Sequence, residues 1–193
     1  MNSRKNFRII NLTEKNIILK SVEEIEPQIL SILNDKEFTL FISFNKLFLD
    51  SNYPTIYLVH DDIINIVDNV NSDILIISAG IYFGFIKKIK FFLSLEGVEF
   101  LYQMKAFSDK DYIIVNDKGE KAILYGNKII KNFISKIPEN LKKNKFLLIF
   151  NQSNELLSIA HSQIDSYQYH GLKSNDLVAL NLKDKGYYLR IKQ

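Results

Sequence analysis

The chain has 193 residues, 47% of them hydrophobic and 24% charged, with seven Gly, three Pro and no Cys. A chain this long can bury roughly 70% of its extended surface without metal or disulfide staples, and the missing cysteines exclude thiolate catalysis, Cys-ligated zinc, iron–sulfur clusters and a secreted disulfide scaffold. The net charge of +3 is uneven: residues 1–110 hold 12 basic and 14 acidic side chains, whereas residues 111–193 hold 13 and eight, so the second half carries the positive field, which suits a polyanion partner or is an ordinary surface of solvated lysines.

In chain order, Ser21, Glu23 and Glu24 followed by Ile25, Ile29, Ile32 and Leu33 predict a capped amphipathic helix over about residues 21–34. Phe38 to Phe44 and Leu47 to Leu49, joined at Asn45 and Lys46, predict a hairpin, and Thr55 to Val59 a third strand after Pro54. Asp61 and Asp62 open a second helix, with Ile63, Ile66, Val67 and Val70 at helical spacing. Strands are expected at Leu75 to Ser78 and Ile86 to Leu93, then a short helix over Gly97 to Met104. The polar joint Ser108 to Asp111 marks a boundary between residues 1–109 and 110–193.

Beyond it the pattern changes to short strands, at Tyr112 to Val115, Ile129 to Ile130, Phe146 to Phe150, Leu156 to Ala160, Leu177 to Leu182 and Tyr187 to Ile191. Turns are expected at Asp117 to Gly119, Asn151 to Asn154 and Lys183 to Gly186, and a basic, irregular, mobile stretch at about Ser135 to Lys145. Short strands with tight turns suggest a small barrel. The fold class expected is therefore α+β, a mainly antiparallel N-terminal α/β domain followed by a β-barrel. Apolar runs such as Ile74 to Ala79 and Phe146 to Phe150 are strand-sized, well under the roughly 18 residues of a membrane span. Residues 1–8 lack the apolar core of a secretory signal, so an intracellular protein is expected, cytoplasmic in an archaeal cell and nucleolar or nuclear in a eukaryotic one.

No phosphate-binding loop, dinucleotide fingerprint, zinc-protease pair, nucleophile elbow or EF-hand loop occurs. His60, His161 and His170 are too dispersed for a metal cage, and Asp61 with Asp62 reads as helix capping before acid–base chemistry. No catalytic residue, cofactor or metal is therefore predicted. The Gly80 to Gly84 segment reads as a glycine turn where backbone approaches a phosphate or simply bends, followed by a basic edge of Lys87, Lys88 and Lys90. Lys128 and Lys131 lie beside a second glycine turn at Gly126, and Tyr187, Tyr188 and Arg190 mix rings with a guanidinium. Rings interleaved with cations suit single-stranded RNA, where bases stack while Lys and Arg neutralise phosphates.

These residues resemble the Nip-seven family of archaeal and eukaryotic large-ribosomal-subunit biogenesis factors. The shared pattern runs from Gly80, Phe83 and Gly84 with the Lys87 to Lys90 region, through Leu124-Tyr125-Gly126-Asn127 and Lys131, to a D-x-G-x-Y-x-R ending at Asp184, Gly186, Tyr188 and Arg190. Where the family carries Leu-Gly-Phe-Gly this chain has Leu157-Ser158-Ile159-Ala160, and Ile164, His170 and Gly171 stand where Lys or Arg is usual. The resemblance implies an N-terminal α/β domain, a C-terminal PUA domain and a non-enzymatic, monomeric factor in large-subunit biogenesis and pre-rRNA processing. Its implied partners are single-stranded or structured pre-rRNA and ribosome-assembly or exosome proteins, the latter held by the N-terminal domain, without a membrane. The RNA contacts it implies are Lys128, Lys131, Lys136, Tyr188 and Arg190, with Lys87, Lys88 and Lys90 as a secondary patch. The alternative is a PUA-fold protein-interaction module with little RNA affinity of its own.

Overall fold

The computed structural model describes residues 7–34, 37–44, 53–70, 76–108 and 111–190, without the side chains of Asp68, Tyr188 and Leu189. The chain forms two compact units, residues 1–106 and 107–193. Both mix helices with mainly antiparallel sheet, so the protein is α+β as its sequence predicts.

In the first unit, β1 (Phe7–Ile9), β2 (Phe38–Ser43), β3 (Thr55–His60), β4 (Ile81–Lys87) and β5 (Lys90–Leu93) lie side by side in chain order, every pairing antiparallel. One face buries Phe41, Tyr57 and Val59 under α3 (Asp61–Asn69), while β5 and β4 pack against α1 (Leu12–Ile25) and α4 (Leu95–Gln103), respectively. The α1 start lies nine residues earlier than the sequence pattern suggests. Its capping box is Asn11 with Glu14: the Glu14 amide donates to Asn11 Oδ1 (2.9 Å) and the Asn11 amide to Glu14 Oε2 (2.7 Å). Ser21, read as the cap, is instead a buried helix residue whose Oγ donates to the Ile17 carbonyl (2.9 Å) and accepts from the Phe91 amide (3.1 Å). Pro27 lacks the N–H that would continue the helix, and a short α2 (Ile29–Leu33) follows.

Two further expectations change. Residues 76–79 form no strand, while the proposed turn at Asn45 and Lys46, the strand Leu47 to Leu49 and Leu75 lie outside the described residues. The single strand expected over Ile86 to Leu93 is a hairpin, because Lys88 (φ 47°) and Ile89 (φ 61°) take left-handed conformations between paired Lys87 and Lys90. Gly84 is not in a loop but inside β4, where a Cβ would lie 2.1 Å from the Phe92 carbonyl oxygen and 2.7 Å from the Phe91 ring. Asp61 and Asp62 do occupy the first turn of α3, although the cap is His60, whose Nδ1 accepts from the Asp62 amide (3.3 Å).

In the second unit, β6 (Tyr112–Val115), β7 (Ile129–Ile130), β8 (Ile134–Lys136), β9 (Phe146–Phe150), β10 (Leu156–Ser162) and β11 (Leu177–Asp184) pair in the order β7-β11-β10-β9-β6-β8. The two outermost strands, β7 and β8, are joined by one 3-10 turn (Lys131–Phe133), which curls the sheet into a nearly closed barrel. Ile113, Ile123, Leu147, Ile149, Ala160 and Val178 fill it. The expected turn at Asp117 to Gly119 is the start of α5 (Asp117–Leu124), capped by Asn116 Oδ1 accepting from the Gly119 amide (3.0 Å). The expected last strand is instead a helical turn, α7 (Tyr187–Arg190), because Gly186 and Arg190 are drawn back onto the end of α5; Ile191 lies outside the described residues.

The stretch expected to be irregular and mobile is pinned. Leu141 is buried in the barrel, the Lys143 amide donates to Asp165 Oδ1 (3.0 Å) and the Lys145 amide to Ser162 Oγ (3.0 Å). The Lys145 ammonium meets buried Asp111 at 2.5 Å. Asp111 also accepts from the Ser108 amide (2.7 Å) and hydroxyl (2.9 Å). Burial pushes the Asp111 carboxyl up, but Lys145 and Ser108 outweigh it and hold the group below the usual carboxylate range. Among the described residues no helix is long and apolar enough to cross a membrane.

Candidate nucleic-acid interface

The motif residues of the second unit meet at the C-terminal end of α5. A helix ends with unpaired carbonyls and a partial negative charge, and here side chains from β11 and α7 supply the donors. Asn181 Nδ2 lies 3.3 Å from the Ile123 and Asn127 carbonyl oxygens. Arg190 forks onto Asp184 through two 2.9 Å bonds and donates to the Leu124 carbonyl as well. Asp184 is buried and Arg190 one-third exposed; its carboxylate hydrogen bonds raise the guanidinium pKa beyond its ordinary value. Gly186 is required by close approach, since a Cβ there would sit 1.9 Å from the Leu124 carbonyl oxygen. The Leu124-to-Asn127 motif and the D-x-G-x-Y-x-R ending are thus two halves of one clamp. Arg190 and Asp184 hold the barrel's last turn, so the guanidinium is engaged within the protein.

Lys131 is similarly engaged. Its ammonium donates to the Leu172 (2.6 Å) and His170 (3.2 Å) carbonyls and lies 5.4 Å from the Tyr169 ring centre. It fastens the segment after α6 (Ser166–Tyr169) to the start of the 3-10 turn. Tyr169 is packed there, and its burial raises the phenol pKa. Of the three predicted lysines in the second unit, two remain accessible: Lys128, exposed between α5 and β7, and Lys136, exposed on β8 with its ammonium 5.9 Å from the Tyr112 ring centre. The side chain of Tyr188 lies outside the described residues.

Lys87, Lys88 and Lys90 gather at the β4–β5 turn of the first unit, where Lys90 pairs loosely with Glu24 (3.7 Å). Sequence reasoning missed two rings in the second unit, Tyr125 (77% exposed) and Tyr167 (78%). Tyr125 stands in the quoted motif just past the α5 terminus. For Tyr167 the available signal was the Asp165/Gln168 capping box, which sets it on the outer turn of α6.

The departures from the family pattern also have a place. Ser158 and Ala160 lie on β10 where its pairing with β9 and β11 shifts register. The Ser158 hydroxyl is buried with no hydrogen-bond partner among the described residues. This matters because a buried unmatched hydroxyl is destabilising.

A family model described as the UPF0113 PUA domain matches residues 111–193. A zebrafish (Danio rerio) "60S ribosome subunit biogenesis protein NIP7 homolog" is 27% identical over 136 residues, 70% of this chain and 73% of that one. A "UPF0113 protein" of Archaeoglobus fulgidus is 29% identical over 58% of this chain and 61% of its own length. Among solved structures, a PUA domain protein from Aeropyrum pernix superposes with a TM-score of 0.63 at 10% identity, over 95% of this chain and 88% of that one, a likeness of fold. The resemblance read from the sequence motifs is borne out as a likeness: residues 111–193 match the UPF0113 PUA domain model, and the chain is similar, at 27–29% identity, to proteins named NIP7 and UPF0113.

Proposed function

We propose that the protein is a non-enzymatic RNA-binding factor in large-ribosomal-subunit biogenesis, holding single-stranded or irregular pre-rRNA through residues 111–193. The observation that carries the reading is the PUA domain match in a relative of proteins named for 60S subunit biogenesis. The basic excess of the second half supports it. In this reading Lys128 and Lys136 contact phosphates, and exposed Tyr125 and Tyr167 offer stacking faces. Lys131 and Arg190 act as positioning residues that hold the loops between these groups. Residues 1–106 carry the contacts to assembly or exosome proteins.

The test is anisotropy of labelled U-rich, A-rich and duplex RNA at several salt concentrations. Salt-sensitive binding to single strands, weakened by Lys128→Glu with Lys136→Glu at unchanged melting temperature, supports the reading; absence of binding at low salt to any strand refutes it. The second reading, a protein-interaction module on a PUA fold, is favoured by the internal engagement of Lys131 and Arg190, which leaves fewer open cations. Association with other proteins that survives nuclease treatment, together with absent RNA binding, would favour it.

A further inference from the structure

The sheet of residues 1–106 carries an aromatic column whose rings are not among its buried core residues. Phe85 and Phe92 are cross-strand partners on β4 and β5, and their rings stack at 5.2 Å and 11°. Tyr53 also stacks on Phe85, at 5.8 Å and 24°. Such offset, near-parallel rings form a continuous π surface. The similarly stacked Phe83 and Phe91 pair is buried in the core, at 0% and 1% exposure. Phe92, by contrast, is 40% exposed and belongs to the last strand in the sheet order, so no ring of the sheet follows it.

Cations surround this column. Lys87 lies 4.8 Å from the Tyr53 ring centre, Lys90 stands opposite Lys87 across the hairpin, and Lys88 is exposed between them. Among the described residues neither Lys87 nor Lys88 pairs with a carboxylate, and the Lys90 contact with Glu24 joins two side chains that are each more than half exposed. The turn holds Lys88 and Ile89 in left-handed backbone, a costly state for a β-branched residue, and leaves Ile89 83% exposed. A flat stack whose end ring, Phe92, is partly exposed beside three cations complements a strand whose bases continue the stack while its phosphates meet the lysines.

We infer that Tyr53, Phe85 and Phe92, with Lys87, Lys88 and Lys90, form a second single-stranded RNA site in residues 1–106, in which a base stacks on Phe92. This rests on the reading that the protein binds RNA. It assigns a base-stacking role to residues outside the PUA domain.

The experiment uses the full chain with a U-rich RNA, a strand of equal length and charge with its bases removed, and a 4-thiouridine RNA for crosslinking. Phe92→Leu keeps an apolar side chain against Phe85 but removes the ring. It is expected to weaken the base-bearing strand at least about fivefold and to leave the abasic strand unchanged. Phe92→Tyr retains binding, and Lys88→Glu, at an exposed turn, weakens both strands. In the wild-type protein the thiouridine crosslinks to the peptide containing Phe92, a readout independent of whether any variant folds. Unchanged binding by Phe92→Leu and Lys88→Glu, with crosslinks confined to residues 111–193, overturns this inference and leaves the RNA-binding reading standing. No binding of the wild-type protein to any strand overturns both.

Discussion

Replacing Arg190 by Met strands the Asp184 carboxylate, whose side chain is 5% exposed, without its guanidinium fork. Removing one member of a fully buried ion pair costs about 3–5 kcal/mol. Arg190 is 33% exposed, so water reaches the pair and the expected loss falls to about 2–3 kcal/mol. For a domain of this size that lowers the melting temperature by roughly 10–20 °C. Arg190→Lys keeps the charge but not the planar fork and should lose about half as much. Adding Asp184→Asn to Arg190→Met should restore stability, because no carboxylate is left stranded. Calorimetry on these proteins, with Asp184→Asn alone to close the cycle, measures the coupling, and anisotropy well below each transition shows whether Arg190→Lys still binds RNA within twofold of wild type. A wild-type melting temperature for Arg190→Met would refute the clamp. Loss of RNA affinity in folded Arg190→Lys, as large as that of Lys128→Glu, would show that the guanidinium reads phosphate after all.

Ser158→Ala removes a buried hydroxyl without a partner among the described residues and should stabilise the protein by about 1–2 kcal/mol, seen as a higher urea midpoint at unchanged slope. Asp111 has a depressed pKa in the folded state, so its contribution is present above the unfolded value, about 3.9, and is lost as pH falls below that through the folded value. Acid unfolding followed by near-ultraviolet dichroism should therefore be less steep in Asp111→Asn, which has no such proton to take up. Lys128→Ala with Lys136→Ala should reduce the slope of log affinity against log salt by about 1.4 for single-stranded RNA; an unchanged slope would remove both lysines from the contact set.

The sequence made the two-part plan, most strands and the α3 start legible, because apolar alternation and cap residues act locally. It misplaced α1 because Ser21, Glu23 and Glu24 imitate a cap that Asn11 and Glu14 make. It divided the β4–β5 region wrongly because neither Lys88 nor Ile89 is a turn-forming residue, and only pairing across the hairpin holds them there. The candidate site shows the same limit. Lys131 and Arg190 stand in the quoted motifs, but whether a cation faces solvent or a carbonyl depends on residues 41 and 66 positions away. Charge is visible in a sequence; what it is already bonded to is not.

The contrasting strand orders of the two sheets bear on how the chain folds during synthesis. In the first unit each strand pairs with its predecessor, so the sheet is complete once Leu93 has emerged. In the second, β7 must wait for β11 some 50 residues later, and the α5 carbonyls wait longer still for Arg190. Local pairing closes quickly and distant pairing slowly, so the nascent chain presents a finished N-terminal unit while the barrel is still open. During that interval the unpaired edge of β10 is the segment most exposed to wrong partners, and a chaperone or early RNA contact would have its largest effect there.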